Sequence, residues 1–185
     1  PQPKTQQPTP NSPMTQSPTT QSTAPYSLGD KWHFQTECIM PWACWANNEQ
    51  QHYTDRPENV YVEDGLLHIV AKNEVYMSDG QTREFTSARL NSKFDFKYGR
   101  VEVRAKLPKA SGTWPAIWTM GSNINENGAY DFVDREPKVN WPACGEVDIA
   151  EQYGASDKIE SAMHAPDYSG IQAEGPIPWS SGYFN

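Results

Sequence analysis

Positive charge is in short supply in this chain. Lys and Arg number 15 against 23 Asp and Glu, a formal net charge of -8 over 185 residues. Nucleic acids and anionic membrane surfaces both select a basic footprint, so neither is an expected partner. Long apolar runs are missing too, and none approaches the length of a bilayer span. No basic, apolar and cleavage-site succession opens the chain, so a secreted protein would carry its signal elsewhere. Cysteine is scarce, and three residues make neither a disulfide framework nor a zinc site. A Cys38–Cys44 pair across a short loop holding Pro41, with Cys144 left over, and three free thiols both fit the sequence. No long stretch shows the 3.6-residue apolar rhythm of a helix.

What is present divides the chain in two. Residues 1–25 are almost wholly Pro, Thr, Gln and Ser. Such a segment buries too little apolar surface to offset its ordering entropy and reads as an extended linker. Residues 26–185 are long enough for one domain with a core. Aromatic residues are plentiful, with seven Trp and nine Tyr. Buried rings are one reading, and plates stacked on the apolar faces of sugars are another.

Strand signals run along the second part. Val60–Glu63 and residues 66–71 flank Asp64-Gly65, a strong turn pair. Residues 85–90, 94–97, 100–107, 114–120, 146–153 and 161–164 are the other expected strands. In residues 100–107, Val101, Val103 and Ala105 alternate with charged residues, as in a half-buried strand. The polar stretch 121–143 exceeds the usual loop length and reads as functional or as carrying a short helix. Many short strands predict an all-β, antiparallel β-sandwich.

The segment Glu146-Val147-Asp148-Ile149-Ala150-Glu151 carries the chemistry. Alternation puts Glu146 and Asp148 on one face and sends Val147 and Ile149 into the core. Strict alternation would also bury Glu151, at a cost of several kcal/mol for a bare carboxylate. A β-bulge near Ala150 returns it to the wet face. The two glutamates then stand about 13 Å apart at Cα, at roughly 3.3 Å per residue. Inward-leaning side chains bring the carboxyls to the roughly 5–5.5 Å of double displacement with retention, against about 6.5–9.5 Å for inversion. Three neighbouring like charges raise the pKa of at least one acid. The scheme that follows has protonated Glu151 as general acid, ionised Glu146 as nucleophile and Asp148 orienting Glu146. A solvated acidic face, or half of a Ca²⁺ site, is the plainer reading. Trp114, Trp118 and Trp141 are what a sugar cleft needs, and Gly145 suits a close backbone passage.

The stretch WPACGEVDIAEQYG, residues 141–154, resembles the active-site signature of glycoside hydrolase family sixteen in its laminarinase branch. WANNEQQHYTDRPENVYVEDGLLHIVAKNE (45–74), FTSARLNSKFDFKYGRVEVRAKLP (85–108) and GTWPAIWTMG (112–121) match the family in order. The resemblance implies a jelly-roll sandwich whose concave face is a cleft for endo-attack on long glucans. It implies nucleophile, helper and acid/base at Glu146, Asp148 and Glu151. The bulged spacing resembles enzymes for β-1,3 linkages, several of which also accept mixed β-1,3/1,4 glucan.

The same resemblance implies that Trp114 and Trp118 floor the cleft, that Asn47 and Arg89 contact sugars, and that His164 helps place the leaving group. The alternatives are plain core for Trp118, salt-bridged scaffold for Arg89 and a turn residue for His164. Trp42 and Trp45 are lower-ranked rim residues. No cofactor is required by this chemistry, and a structural calcium ion is the one metal the family suggests. The expected partner is a β-glucan, the expected setting extracellular, and a carbohydrate-binding module upstream of the linker is in keeping with it. Two departures stand out. The strand with which family members usually open, carrying part of the common Ca²⁺ site, is reduced to a few residues before Trp32. The chain also ends soon after His164, where relatives continue with further strands, so it reads as a fragment with exposed apolar faces. The alternatives are a non-catalytic β-glucan-binding module, a stalked cell-wall protein, and a hydrolase of another polysaccharide such as agarose.

Overall fold

A computed structural model describes residues 28–41 and 43–176, with 168–176 described in their backbone alone. The linker 1–25 and Trp42 lie outside the described residues. Apart from one 3₁₀ turn, Leu28–Asp30, every regular element among the described residues is a strand. The strands are β1 (Trp32–Phe34), β2 (Gln51–Tyr53), β3 (Val60–Glu63), β4 (Leu66–Ile69), β5 (Lys72–Ser78), β6 (Gln81–Ser87), β7 (Leu90–Ser92), β8 (Ala116–Met120), β9 (Glu146–Glu151), β10 (Lys158–Ala165) and β11 (Tyr168–Pro176). They pair as β11-β10-β9-β8, β2-β6-β5, β1-β7 and β3-β4. Every pair is antiparallel except β2–β6, in keeping with the all-β sandwich expected.

Two hairpins show how local chemistry sets the register. Asp64 and Gly65 both take positive φ (51° and 76°), as do Asp79 and Gly80 (50° and 71°). A two-residue loop with both residues left-handed matches the twist of an antiparallel pair. The first hairpin, β3–β4, is the expected one. The second, β5–β6, is a correction to the sequence reading, which has no strand at Lys72–Ser78 and starts the next at residue 85. The buried Asn59 side chain ties these units together. It donates to the Val70 carbonyl at 3.0 Å and to Thr86 Oγ1 at 2.9 Å, and accepts from Thr54 Oγ1 at 2.5 Å.

Residues 94–97 and 100–107 do not form strands. The alternation survives in the burial, with Val103, Ala105 and Leu107 half-buried between exposed Glu102, Arg104 and Lys106. Pattern alone does not make a ladder, which needs a partner strand, and among the described residues this stretch forms no more than a bridge at Ala105. The stretch 121–143 holds turns and an Ile124–Val139 bridge rather than a helix. The core is small. Its centre is Trp45 packed on the Cys38–Cys44 disulfide, with Ile39 and Tyr53 against it. That disulfide decides between the cysteine alternatives, leaving Cys144 as the free thiol. Trp45 is 1 % exposed, which corrects its placement on a cleft rim. Val147, expected in the core, is 41 % exposed, because the contacts of β9 run to its sheet neighbours β8 and β10.

Candidate active site

The site is built on one irregular strand. Along β8, Met120, Trp118 and Ala116 face Glu146, Asp148 and Glu151 of β9. Along β10, His164, Ala162 and Glu160 face the same three residues. Both flanking strands advance by two residues at each step, while β9 advances by two and then by three. Ile149 is therefore the extra residue of a bulge, as Ile117 faces Ala150 and Trp118 faces Asp148. A period of two on both neighbours keeps all three acids on one face.

Each acid has its own partners. The Trp141 indole N–H donates to Glu146 Oε2 at 2.6 Å. His164 Nε2 hydrogen-bonds Asp148 Oδ2 at 3.1 Å. Glu151 accepts from the Trp114 indole at 2.7 Å through Oε1 and from the Tyr153 hydroxyl at 3.3 Å through Oε2. Asp148 and Glu151 are buried, at 4 % and 8 % exposure, while Trp114 and Trp141 stand 40 % and 49 % exposed. Buried acids under half-exposed indole plates give a polar row with apolar shoulders, the shape a sugar chain fits.

Burial falls hardest on the middle of the row. Asp148 is raised from 3.8 to about 6, first because it is desolvated, then because Glu146 and Glu151 repel a further charge; His164 opposes the rise. The expectation that at least one acid of the row is raised is met at Asp148. Tyr153 is pushed well above the ordinary phenol range by burial and then by the Glu151 charge, so it stays a hydrogen-bond donor.

The sequence-nominated residues separate into two groups. Glu146, Asp148, Glu151, Trp114, Trp141 and His164 come together, with Trp118 paired opposite Asp148. His164 is a β10 strand residue rather than a turn residue, stands opposite Glu146 and packs its ring 5.6 Å from Trp141. Arg89 is salt-bridged. It donates to Glu126 Oε1 at 2.7 Å, which also accepts from Gln35 Nε2 at 2.7 Å. Its guanidinium carbon lies 4.9 Å from the centre of the Trp118 ring and 5.7 Å from that of Trp45. Asn47 is exposed at a left-handed turn position, φ 58°. Two residues were missed. Tyr153, its ring centre 4.7 Å from that of Trp114 at a tilt of 42°, stands two places beyond Glu151 and was open to the same alternation argument. Glu126 lies in the polar stretch 121–143 and carries no local signal.

Among the described residues, two groups bring metal-capable atoms within 4.8 Å of one another: Glu146, Asp148 and His164, and Cys38, Cys44 and His52. Calcium takes about six to eight oxygens, so neither set, with its nitrogen or sulfur atoms, is of the calcium kind.

The family model for Glycosyl hydrolases family 16 matches residues 47–180. A glucan endo-1,3-beta-glucosidase from Cryptopygus antarcticus is 38% identical over 168 residues, covering 85% of this chain and 56% of that protein. The solved structure of a LamA variant from Z. galactanivorans, in complex with laminaritriose and laminaritetraose, superposes with a TM-score of 0.79 at 45% identity over 86% of this chain and 66% of that one. The catalytic domain of an endo-1,3-beta-glucanase (laminarinase) from Thermotoga petrophila gives 0.70 at 34% identity, over 87% and 64%. The chain spans about half the length of the curated relatives it matches first, 56% and 44%.

Proposed function

The chain belongs to the glycosyl hydrolases of family 16, and on that premise we propose that it cuts β-1,3-glucan internally, by double displacement with retention of configuration, outside the cell. The observation that carries this reading is the bulge at Ile149, which sets Glu146, Asp148 and Glu151 on one face between indole plates. In the proposed reaction Glu146 attacks the anomeric carbon while Glu151 gives its proton to the departing glycosidic oxygen. Asp148 and His164 hold the nucleophile's surroundings, and Trp141 anchors its Oε2. Glu151 then takes a proton from water, which opens the glycosyl ester. The Trp114 and Tyr153 donors fix the acid/base through both half-reactions. Oriented donors of this kind act without reorganising at the moment of reaction.

Support for the linkage comes from the relatives, whose names specify 1,3-beta bonds. Support for an extracellular setting comes from the Cys38–Cys44 disulfide. The test is product release from laminarin, lichenan, agarose and carrageenan in parallel. Laminarin should yield a ladder of oligosaccharides first, with mixed-linkage glucan second. Glu146→Gln should bind laminarin and release nothing. Binding without release by both proteins would turn the reading to a glucan-binding module, and preferential release from agarose would change the substrate.

A further inference from the structure

Away from the acidic row, Cys38, Cys44 and His52 meet in the interior. Cys38 is 8 % exposed, while Cys44 and His52 are 0 % exposed. Their sulfur and nitrogen atoms all lie within 4.8 Å of one another. His52 Nδ1 is 3.6 Å from Cys44 Sγ, and His52 Nε2 is 2.9 Å from the Gln81 carbonyl oxygen. A carbonyl can only accept, so Nε2 carries a proton, and in the neutral ring Nδ1 then turns its lone pair toward Cys44 Sγ. With the disulfide closed, Cys44 Sγ has no hydrogen to offer. The imidazole lone pair is therefore sealed in the interior, aimed at a sulfur that cannot satisfy it. A plain structural staple does not call for this arrangement. A ligand histidine does, because a carbonyl holding the far ring nitrogen fixes tautomer and orientation.

We propose that Cys38, Cys44 and His52 form a second site, closed as a disulfide under oxidising conditions and opened by reduction to bind one zinc(II) ion through two thiolates and one imidazole. The reductant is a low-molecular-weight thiol. Two thiol molecules supply two electrons and two protons, the Cys38–Cys44 bond breaks, two protein thiols form and the reductant leaves as its own disulfide. Zinc then takes up both sulfurs and the Nδ1 lone pair, and the two thiol protons pass to solvent. Cys38 lines an open depression with Pro41, Asp79 and Gln81, the side from which the reductant would approach. The β5–β6 turn holds the frame during this exchange. Asp79 Oδ2 accepts the Cys38 backbone N–H at 2.9 Å, and Gln81 Nε2 donates to the Pro41 carbonyl at 3.0 Å. A ligand set of two sulfurs and one nitrogen suits zinc, with a fourth position left to water.

The experiment titrates zinc(II) into the full chain carrying Cys144→Ser, air-oxidised and phosphine-reduced, under anaerobic conditions. The Glu146, Asp148 and His164 cluster is present in both states and cancels from the difference. The reduced protein should bind one equivalent more than the oxidised protein. Cobalt(II) in its place should give a thiolate charge-transfer band in the reduced state alone. His52→Asn, checked by circular dichroism for an intact β spectrum, should weaken the extra equivalent roughly tenfold or more. Equal zinc uptake in the two redox states would overturn the site. Undiminished affinity in a folded His52→Asn protein would remove the imidazole and overturn it equally. If that variant does not fold, the cobalt spectrum decides: no charge-transfer band in the reduced parent rejects the proposal.

Discussion

The Trp114 indole N–H and the Glu151 carboxylate are joined at 2.7 Å across 37 residues of chain, and the same ring is 40 % exposed. One side chain thus anchors the proposed acid/base and presents a half-exposed ring face. Trp114→Phe separates the two roles, since it keeps a plate and removes the donor. Losing a hydrogen bond to a charged group costs about 1.5–3 kcal/mol, so kcat on laminarin should fall roughly ten- to hundredfold while KM changes little. Trp114→Ala should lower kcat as much and raise KM as well. Steady-state kinetics on laminarin check both, and a rise in KM alone for Trp114→Phe would reduce Trp114 to a platform.

Glu151 as acid/base makes a prediction about leaving groups. A glycosidic oxygen leaving as an alkoxide needs a proton, whereas an activated aryloxide does not. Glu151→Ala should lose most of its rate on laminarin and retain far more on an aryl β-glucoside oligomer with an acidic phenol. Added azide should then restore turnover of the aryl substrate. Equal losses on both substrates would take the proton-transfer role away from Glu151.

Asp148 predicts a pH dependence of stability. Its folded value lies near 6 against 3.8 in the unfolded chain, so the folded protein binds the proton more tightly. The stabilising contribution is complete below 3.8 and is lost as pH rises through about 6. Asp148→Asn has no such proton to lose. Its unfolding midpoint in urea should therefore gain on that of the parent as pH rises through this window, and the difference between them should then stay constant above it. A constant difference across the window would show that the Asp148 proton is not held by the fold.

Arg89 and Glu126 predict a coupled loss. Their side chains are 14% and 15% exposed, and the guanidinium also lies over Trp118. Arg89→Met leaves Glu126 half-sealed without its charge partner, a change on the order of 3 kcal/mol. Glu126→Gln in the same chain removes the stranded charge, so the double variant should recover part of the loss. Urea unfolding of the four proteins of the cycle measures the coupling. Strict additivity would mean that the pair does not act as a unit.

The acidic row was legible because its irregularity has a cost. An uninterrupted strand would turn Glu151 away from Glu146 and Asp148, and the bulge that restores their shared face lies at Ile149; that face is not the wet one expected, since Asp148 and Glu151 are buried and held by hydrogen bonds from His164, Trp114 and Tyr153. The all-β character was legible from alternation and from Asp64-Gly65. Other features had no such handle. The polar Lys72–Ser78 strand alternates too weakly to announce itself, although Asp79-Gly80 marks its turn. Glu126 reaches Arg89 across 37 residues, and no local pattern encodes that contact. The His52 lone pair depends on a carbonyl 29 residues away. Stretch 100–107 failed in the other direction, because its pattern is right and a partner strand is what makes a ladder.

The glycines beside the active strand supply a last contrast. Sequence reading took Gly145 as the point of close backbone passage, yet a Cβ there meets nothing within 4 Å and its requirement is the positive φ of 79°. The close passage is at Gly121, where a Cβ would lie 2.1 Å from the Cys144 carbonyl oxygen. Gly121 N–H also donates to the Gly145 carbonyl at 2.9 Å, which fastens the end of β8 to the start of β9 just before Glu146. Gly121→Ala must push these two backbones apart, and neither is a flexible side chain that can turn away. Gly65→Ala is the control, since it meets nothing within 4 Å and has only the left-handed φ of 76° to bear. That strain costs about 1–3 kcal/mol with no effect on the acids. Gly65→Ala should therefore lower the unfolding temperature and leave kcat on laminarin intact at a temperature where it is folded. Gly121→Ala should lower kcat even there, because the displaced Cys144–Gly145 segment carries Glu146 away from the Trp141 donor. Equal kcat for the two folded variants would show that the strand start tolerates the shift and that Glu146 is positioned from elsewhere.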